Sequence, residues 1–239
     1  KEYGVKRIFA IPDGTYNIMF KWMRDEGARA GMAFITPRHE AAGAHMADGW
    51  YRVTGQPTVA MAGAGPGVAN LISGVITAHA EDIPMLVITT HRRSEVIDPP
   101  RGAMQVFDQE GIFRPVTKFS STIHHWKRIP EILSLSLRTA VSGIPGPVLL
   151  NIPEDIINER REEREIPGPL AAPLPSGSGG DPAAVEAAAQ LLVKARTPFI
   201  HAGTAVVRCG AEGELKDLAE YLGVPVTMTP GGRGAVPED

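Results

Sequence analysis

Thr36-Pro37-Arg38-His39-Glu40-Ala41-Ala42-Gly43-Ala44-His45-Met46-Ala47-Asp48-Gly49 follows the apolar run Gly31-Met32-Ala33-Phe34-Ile35. An apolar run, a Thr-Pro turn and then an Ala- and Gly-rich helical pattern form the strand-to-helix step of an open α/β sheet. Ligands of such sheets bind beyond the carboxyl ends of the strands. Glu40 therefore falls where a ligand docks, and the small residues after it let another backbone come close. An acid in the first turn of a helix is also favoured by the helix dipole alone. Set among apolar neighbours at that edge, the carboxyl group is expected to resist ionising and to share a proton with a ring nitrogen.

The rest of the chain repeats this step. Strands are expected at Arg7–Ile11, Met32–Thr36, Thr58–Ala62, Met85–Thr89, Val116–Phe119 and Val148–Ile152, and helices at Tyr16–Glu26, Glu40–Val53, Gly67–His79 and Ile129–Ser142. Alternation of this kind predicts a parallel sheet with crossover helices. Several strand runs are apolar on both faces, as strands covered by helices on two sides should be. Breakers at Gly55-Gln56-Pro57 and Gly143-Ile144-Pro145-Gly146-Pro147 end helices before the next strand.

From Glu159 to Glu165 the chain is almost all charge, and Ile166 to Pro182 is rich in Pro, Gly and Ser, a linker composition. A second α/β unit then begins with helix Pro182–Ala195, strand Phe199–Ala202, helix Gly213–Leu222 and strand Pro225–Thr229. The expected organisation is a first domain over 1–160, a linker over 161–181 and an incomplete second domain over 182–239, too small for a finished sheet. Lys1-Glu2-Tyr3-Gly4 looks like the middle of a helix, so the chain is expected to be a piece of a longer protein.

With 239 residues and 43% apolar content the chain can bury a sizeable core, and a net charge of −3 offers no basic field for nucleic acid. Cys209 is the single cysteine, which excludes an internal disulfide and fits a reducing compartment. No apolar run approaches the ~20 residues that span a bilayer. A cytoplasmic protein with no membrane or nucleic-acid partner is the expectation.

Ala62-Gly63-Ala64-Gly65-Pro66-Gly67 follows a strand and opens a helix, as a phosphate-cradling loop would. Arg92 and Arg93 after the next strand could bind a 2′-phosphate, which makes an NADP-binding oxidoreductase the alternative of another class. Against it, Val68 stands where G-x-G-x-x-G needs its third glycine, Pro66 lacks an N–H, and Glu81 and Asp82 precede the following strand rather than end it.

Arg38-His39-Glu40 through Trp50-Tyr51-Arg52-Val53-Thr54-Gly55, together with Gly65-Pro66-Gly67-Val68-Ala69-Asn70, resembles the thiamine-diphosphate enzymes, in the acetolactate synthase and benzaldehyde lyase branch. The resemblance implies a three-layer pyrimidine-binding domain followed by the first half of a central domain. It implies that Glu40 shares a proton with the pyrimidine ring of thiamine diphosphate and activates it. Gly65, Pro66 and Gly67 approach that ring through their backbone, where side chains would hold it away. Asn70 either joins them or ties the helix start to the loop. Ile11-Pro12-Asp13-Gly14-Thr15 borders the substrate in similar enzymes. Asp13, with Gly14 and Thr15, is therefore a substrate-pocket candidate, although Asp13 stands where acetolactate synthases have glycine and could instead cap the next helix. Gln105 matches the branch's active-site glutamine, with Met104 and Val106 in place of a common Phe and Glu.

The implied activity is making or breaking a C–C bond next to a carbonyl, acetolactate synthase-like with a 2-keto acid, or alternatively lyase- or decarboxylase-like with an aldehyde product or substrate. An active site at a subunit interface, in a dimer or tetramer, is implied as well. No Gly-Asp-Gly followed by an Asn pair occurs, so ligands for the diphosphate and its Mg²⁺ are expected in a third domain, and this portion alone is expected to be inactive. FAD binding stays open, because only part of the central domain is present. His124-His125 has no further ligand at metal-site spacing and reads as surface, so no metal site is expected here.

Overall fold

The computed structural model describes residues 3–97, 99–168, 170 and 179–237. The expected linker lies partly outside these residues, as does the helical reading of Lys1-Glu2. The chain folds as two compact units, Lys1–Ser176 and Gly177–Asp239, and the division falls within the segment 161–181.

The first unit contains β1 (Arg7–Ala10), α1 (Asn17–Trp22), β2 (Ala33–Ile35), α2 (Glu40–Thr54), β3 (Thr58–Ala62), α3 (Pro66–Ala80), β4 (Met85–His91) and α4 (Ser94–Ile97). It continues through α5 (Gln109–Phe113), β5 (Phe119–Thr122), α6 (Ile129–Val141), β6 (Val148–Pro153) and α7 (Glu154–Ile157). Six strands lie in the order β2-β1-β3-β4-β6-β5, with every neighbouring pair parallel. Cross-strand rows alternate between two cores. Phe9, Ala60, Val87 and Leu149 pack under α2, α3 and Phe113 of α5, and Ile8, Val59, Leu86 and Val148 pack against α1 and α6. The result is a three-layer α/β fold, apolar on both faces of the sheet as parallel strands require.

Small residues set the spacing of α2 and α3. Ala44 and Ala47 are fully buried, and a Cβ added at Gly74 would lie 2.4 Å from Ala44 Cβ. Such close helix contact lets α2 hold its first turn, and Glu40 with it, against the start of α3. The chain enters α2 through His39, whose Nδ1 accepts from Ala41 N–H at 3.2 Å, and leaves it through Gly55, left-handed at φ +64°.

Two local expectations are corrected. The strand expected at Val116–Phe119 lies at Phe119–Thr122, because Pro115 sits inside a 3₁₀ turn over Arg114–Val116 and pairing with β6 starts only at Phe119. The helix expected at Tyr16–Glu26 opens with a 3₁₀ turn, Gly14–Tyr16, and after α1 widens into a π-helical turn, Met23–Gly27.

The second unit holds α8 (Pro182–Lys194), β7 (Ile200–Ala202), α9 (Thr204–Cys209), α10 (Glu212–Leu222) and β8 (Val226–Met228), with β7 and β8 parallel. Asp181 caps α8 by accepting from Ala183 N–H at 3.2 Å. Among the described residues no helix is long and apolar enough to cross a membrane.

Candidate active site

The sheet order reverses between β1 and β3: the chain leaves β1 toward β2 on one side and leaves β3 toward β4 on the other. A crevice for ligands opens at such a point, outside the carboxyl ends of the strands. The loop after β1 carries Asp13, the loop after β3 carries Gly63 and Gly65, and Gly67 sits in the first turn of α3.

Each of these three glycines faces one side chain from a distant part of the chain. A Cβ at Gly63 would lie 2.1 Å from Asp13 Cγ, one at Gly65 would lie 2.6 Å from Gln105 Cβ, and one at Gly67 would lie 3.3 Å from Glu40 Oε1. The first two distances are far inside van der Waals contact, so only glycine lets Asp13 and Gln105 sit where they do. Gly65 is also left-handed, at φ +80°.

Glu40 is half-buried at the start of α2. Its Oε2 accepts from Asn70 Nδ2 at 3.0 Å. Asn70, expected to tie the helix start to its own loop or to meet the cofactor, spans from α3 to the Glu40 carboxylate. Among the described residues no donor is bonded to Oε1, the oxygen that lies over Gly67.

Asp13 caps the 3₁₀ turn. Its Oδ1 accepts from Thr15 N–H at 2.8 Å and from the Thr15 hydroxyl at 2.5 Å, and that hydroxyl also bonds to Thr90 on β4. Thr15 is buried by these contacts, whereas Gly14 is exposed. Beneath them lies Tyr16, fully buried, with its hydroxyl donating to the Ile11 carbonyl. Burial, and then the negative charges of Asp13 and Glu40, push the Tyr16 hydroxyl pKa well up.

Gln105 stands at φ +73°, half-buried, with the neighbouring Met104 81% exposed. Met104 therefore reaches into open space. Two other expectations meet different neighbours. Arg92 pairs with Glu154 at 3.3 Å and Arg93 with Glu95 at 3.8 Å, so both carry carboxylate partners. His124 and His125 are exposed, and His125 caps the next turn through Lys127 N–H at 3.2 Å.

The sequence reading missed His91 and the polar chain beside it. Thr89 donates to Asn151 Oδ1 at 3.1 Å, Asn151 Nδ2 donates to the Thr122 hydroxyl at 3.2 Å, and that hydroxyl donates to Glu110. Asn151, Thr122 and Glu110, with His91, line a cleft of about 600 Å³ beyond the ends of β4, β6 and β5. Threonine and asparagine in otherwise apolar strands were the available signal.

At the sheet's switch point, then, a carboxylate with one oxygen unbonded among the described residues lies over a glycine loop. Residues 1–112 match the family described as "Thiamine pyrophosphate enzyme, N-terminal TPP binding domain", and residues 185–239 match "Thiamine pyrophosphate enzyme, central domain". The chain thus carries stretches that match two domains of the thiamine pyrophosphate enzymes. It is 34% identical, over 239 residues, to the probable acetolactate synthase large subunit of Methanocaldococcus jannaschii, a match covering 99% of this chain and 39% of that protein. It is 33% identical over 241 residues to acetolactate synthase isozyme 3 large subunit of Escherichia coli, with 99% and 41% covered, and 33% identical over 245 residues to acetolactate synthase of Arthrospira platensis, with 100% and 41% covered. The chain spans about two fifths of the length of these curated relatives.

Proposed function

We propose that this chain supplies the pyrimidine-binding half of a thiamine-diphosphate active site in an acetolactate synthase-like enzyme, which condenses 2-keto acids with loss of CO₂. The observation that carries the reading is Glu40: Asn70 holds Oε2, while Oε1 stays free over Gly67. The residues fit the ring in kind, since a carboxylate acceptor with one oxygen unbonded among the described residues stands beside a glycine loop. When bound, thiamine diphosphate supplies a nucleophilic carbon that adds to a carbonyl and takes up the electrons of the breaking C–C bond.

Glu40 holds and returns a proton at the pyrimidine ring. Gly65, Pro66 and Gly67 receive the ring on backbone, and Asn70 keeps the Glu40 carboxylate turned toward it. Gln105, from the loop above Gly65, donates to an oxygen of the reacting molecule. Asp13 and Thr15 shape the crevice floor through their mutual cap. Mg²⁺ and the diphosphate are assigned to a domain outside this chain, and the relatives' greater length supports that assignment. A second copy of the chain completes the site; the exposed Met46 on α2 and Ile76 on α3 support an interface there.

Asp13, which stands where similar synthases have glycine, favours a second reading as an aldehyde lyase or a 2-keto acid decarboxylase. Product analysis of the full-length protein with pyruvate, alone and with an added aldehyde, separates the two. Acetolactate from pyruvate alone supports the synthase. Free aldehyde, or products formed only when aldehyde is present, supports the second reading. No turnover of either substrate overturns both.

A further inference from the structure

His91 closes β4, the strand paired with β3, whose following loop carries Gly65. Its ring is 3% exposed. Nδ1 lies 2.8 Å from the Arg92 backbone N–H and so serves as acceptor, which leaves the ring proton on Nε2. Nε2 lies 3.2 Å from the carbonyl oxygen of Phe107, which can only accept. The two contacts assign the same tautomer independently.

Phe107 is two residues beyond Gln105. Gln105 occupies the left-handed region at φ +73° and presses on Gly65. A non-glycine residue persists there only when its surroundings impose it. Within the loop the Val106 N–H closes a turn onto the Ala103 carbonyl at 3.3 Å. Beyond it, α5 is anchored separately, by the Asp108 cap on Gly111 N–H at 2.8 Å and by the Glu110–Thr122 bond. Among the described residues, the bond from His91 is the one hydrogen bond between residues 103–107 and the sheet, beside the packing of the Phe107 side chain on the core.

We propose that His91 is the positioning residue for Gln105, a neutral clamp from the end of β4 that holds the turn at working height above Gly65. The proposal rests on the reading that Gln105 meets the reacting molecule, and its test separates the two. In the full-length protein His91 is replaced by Leu, which cannot donate, and by Gln, which can. Hydrogen exchange of the 103–107 amides is followed by mass spectrometry. Loss of one hydrogen bond should speed it about five- to tenfold in His91→Leu, with β4 and β6 unchanged and His91→Gln close to parent. Unchanged protection of 103–107 in His91→Leu overturns the clamp whatever the activity does. So does equal deprotection of the whole sheet, which would make His91 a general core residue.

Turnover of pyruvate with thiamine diphosphate and Mg²⁺ is then measured for His91→Leu, Gln105→Ala and the double variant. A displaced group costs on the order of tenfold to a hundredfold in kcat. The double variant should be no slower than Gln105→Ala, because the clamp has nothing left to place. Additive losses overturn the proposal. If Gln105→Ala alone turns over at the parental rate, the role of Gln105 fails, while the exchange data still decide the clamp.

Discussion

Replacing Gly63 by Ala tests the geometry on which the crevice depends. The new methyl would stand 2.1 Å from Asp13 Cγ and 2.5 Å from Asp13 Cβ, so the Asp13 side chain must leave its place. That movement breaks the two bonds it accepts from Thr15 and frees the turn between β1 and α1. Losing an N-cap of this kind costs about 1 kcal/mol. Forcing a methyl into a filled contact adds roughly 1–3 kcal/mol. The sum, about 2–4 kcal/mol, should lower the midpoint of thermal unfolding by roughly 5–15 °C for a unit of this size. Urea denaturation followed by circular dichroism gives the free energy directly. The second arm is a rescue: Asp13→Gly removes the three atoms the methyl would strike, Cγ, Oδ1 and Cβ, so Gly63→Ala should then cost under about 1 kcal/mol. An equal penalty in both backgrounds would refute the packing of Asp13 on Gly63.

Two further outcomes follow from groups around the same edge. Asn151→Ala should destabilise by about 2–4 kcal/mol in urea denaturation, because it leaves the fully buried Thr89 hydroxyl without its acceptor and opens a gap between β4 and β5, and Asn151→Asp should cost no less, because it loses the donor to Thr122 and buries a charge. Burial lowers the His91 pKa in the folded chain below its unfolded value of about 6.5. The unfolded chain therefore takes up the proton first, so stability is full above that value and falls as pH drops below it. Measured from pH 7 to 5, the parent should lose more stability than His91→Gln, and parallel curves would contradict the assignment.

Much of the fold was legible because long elements carry strong signals. The continuous apolar runs of β3, β4 and β6 and the small-residue pattern of α2 announced a parallel sheet covered on both faces. Short helices such as α4, α5 and α7, four or five residues each, show too little periodicity to be recognised. The displaced strand around Pro115 shows how a turn residue next to an apolar run shifts an edge. At the site, Glu40 and the glycine loop could be read locally, from a carboxylate at a helix start and glycines at a strand end. Local pattern could not show that Gly63, Gly65 and Gly67 each receive one particular distant side chain. Nor could it show Asn70 reaching Glu40 across thirty residues, or the lone His91 holding a loop, since both arise from tertiary placement alone.

Proton–deuterium exchange at C2 of thiamine diphosphate bound to the full-length protein bears most directly on Glu40. Glu40→Gln preserves the shape of the side chain and its bond to Asn70 but cannot carry the shared proton. Exchange in this variant should be at least about a hundredfold slower than in the parent, with cofactor still bound and the unfolding transition unchanged. Exchange at the parental rate would contradict the role given to Glu40 and, with it, the reading of this crevice as the pyrimidine site.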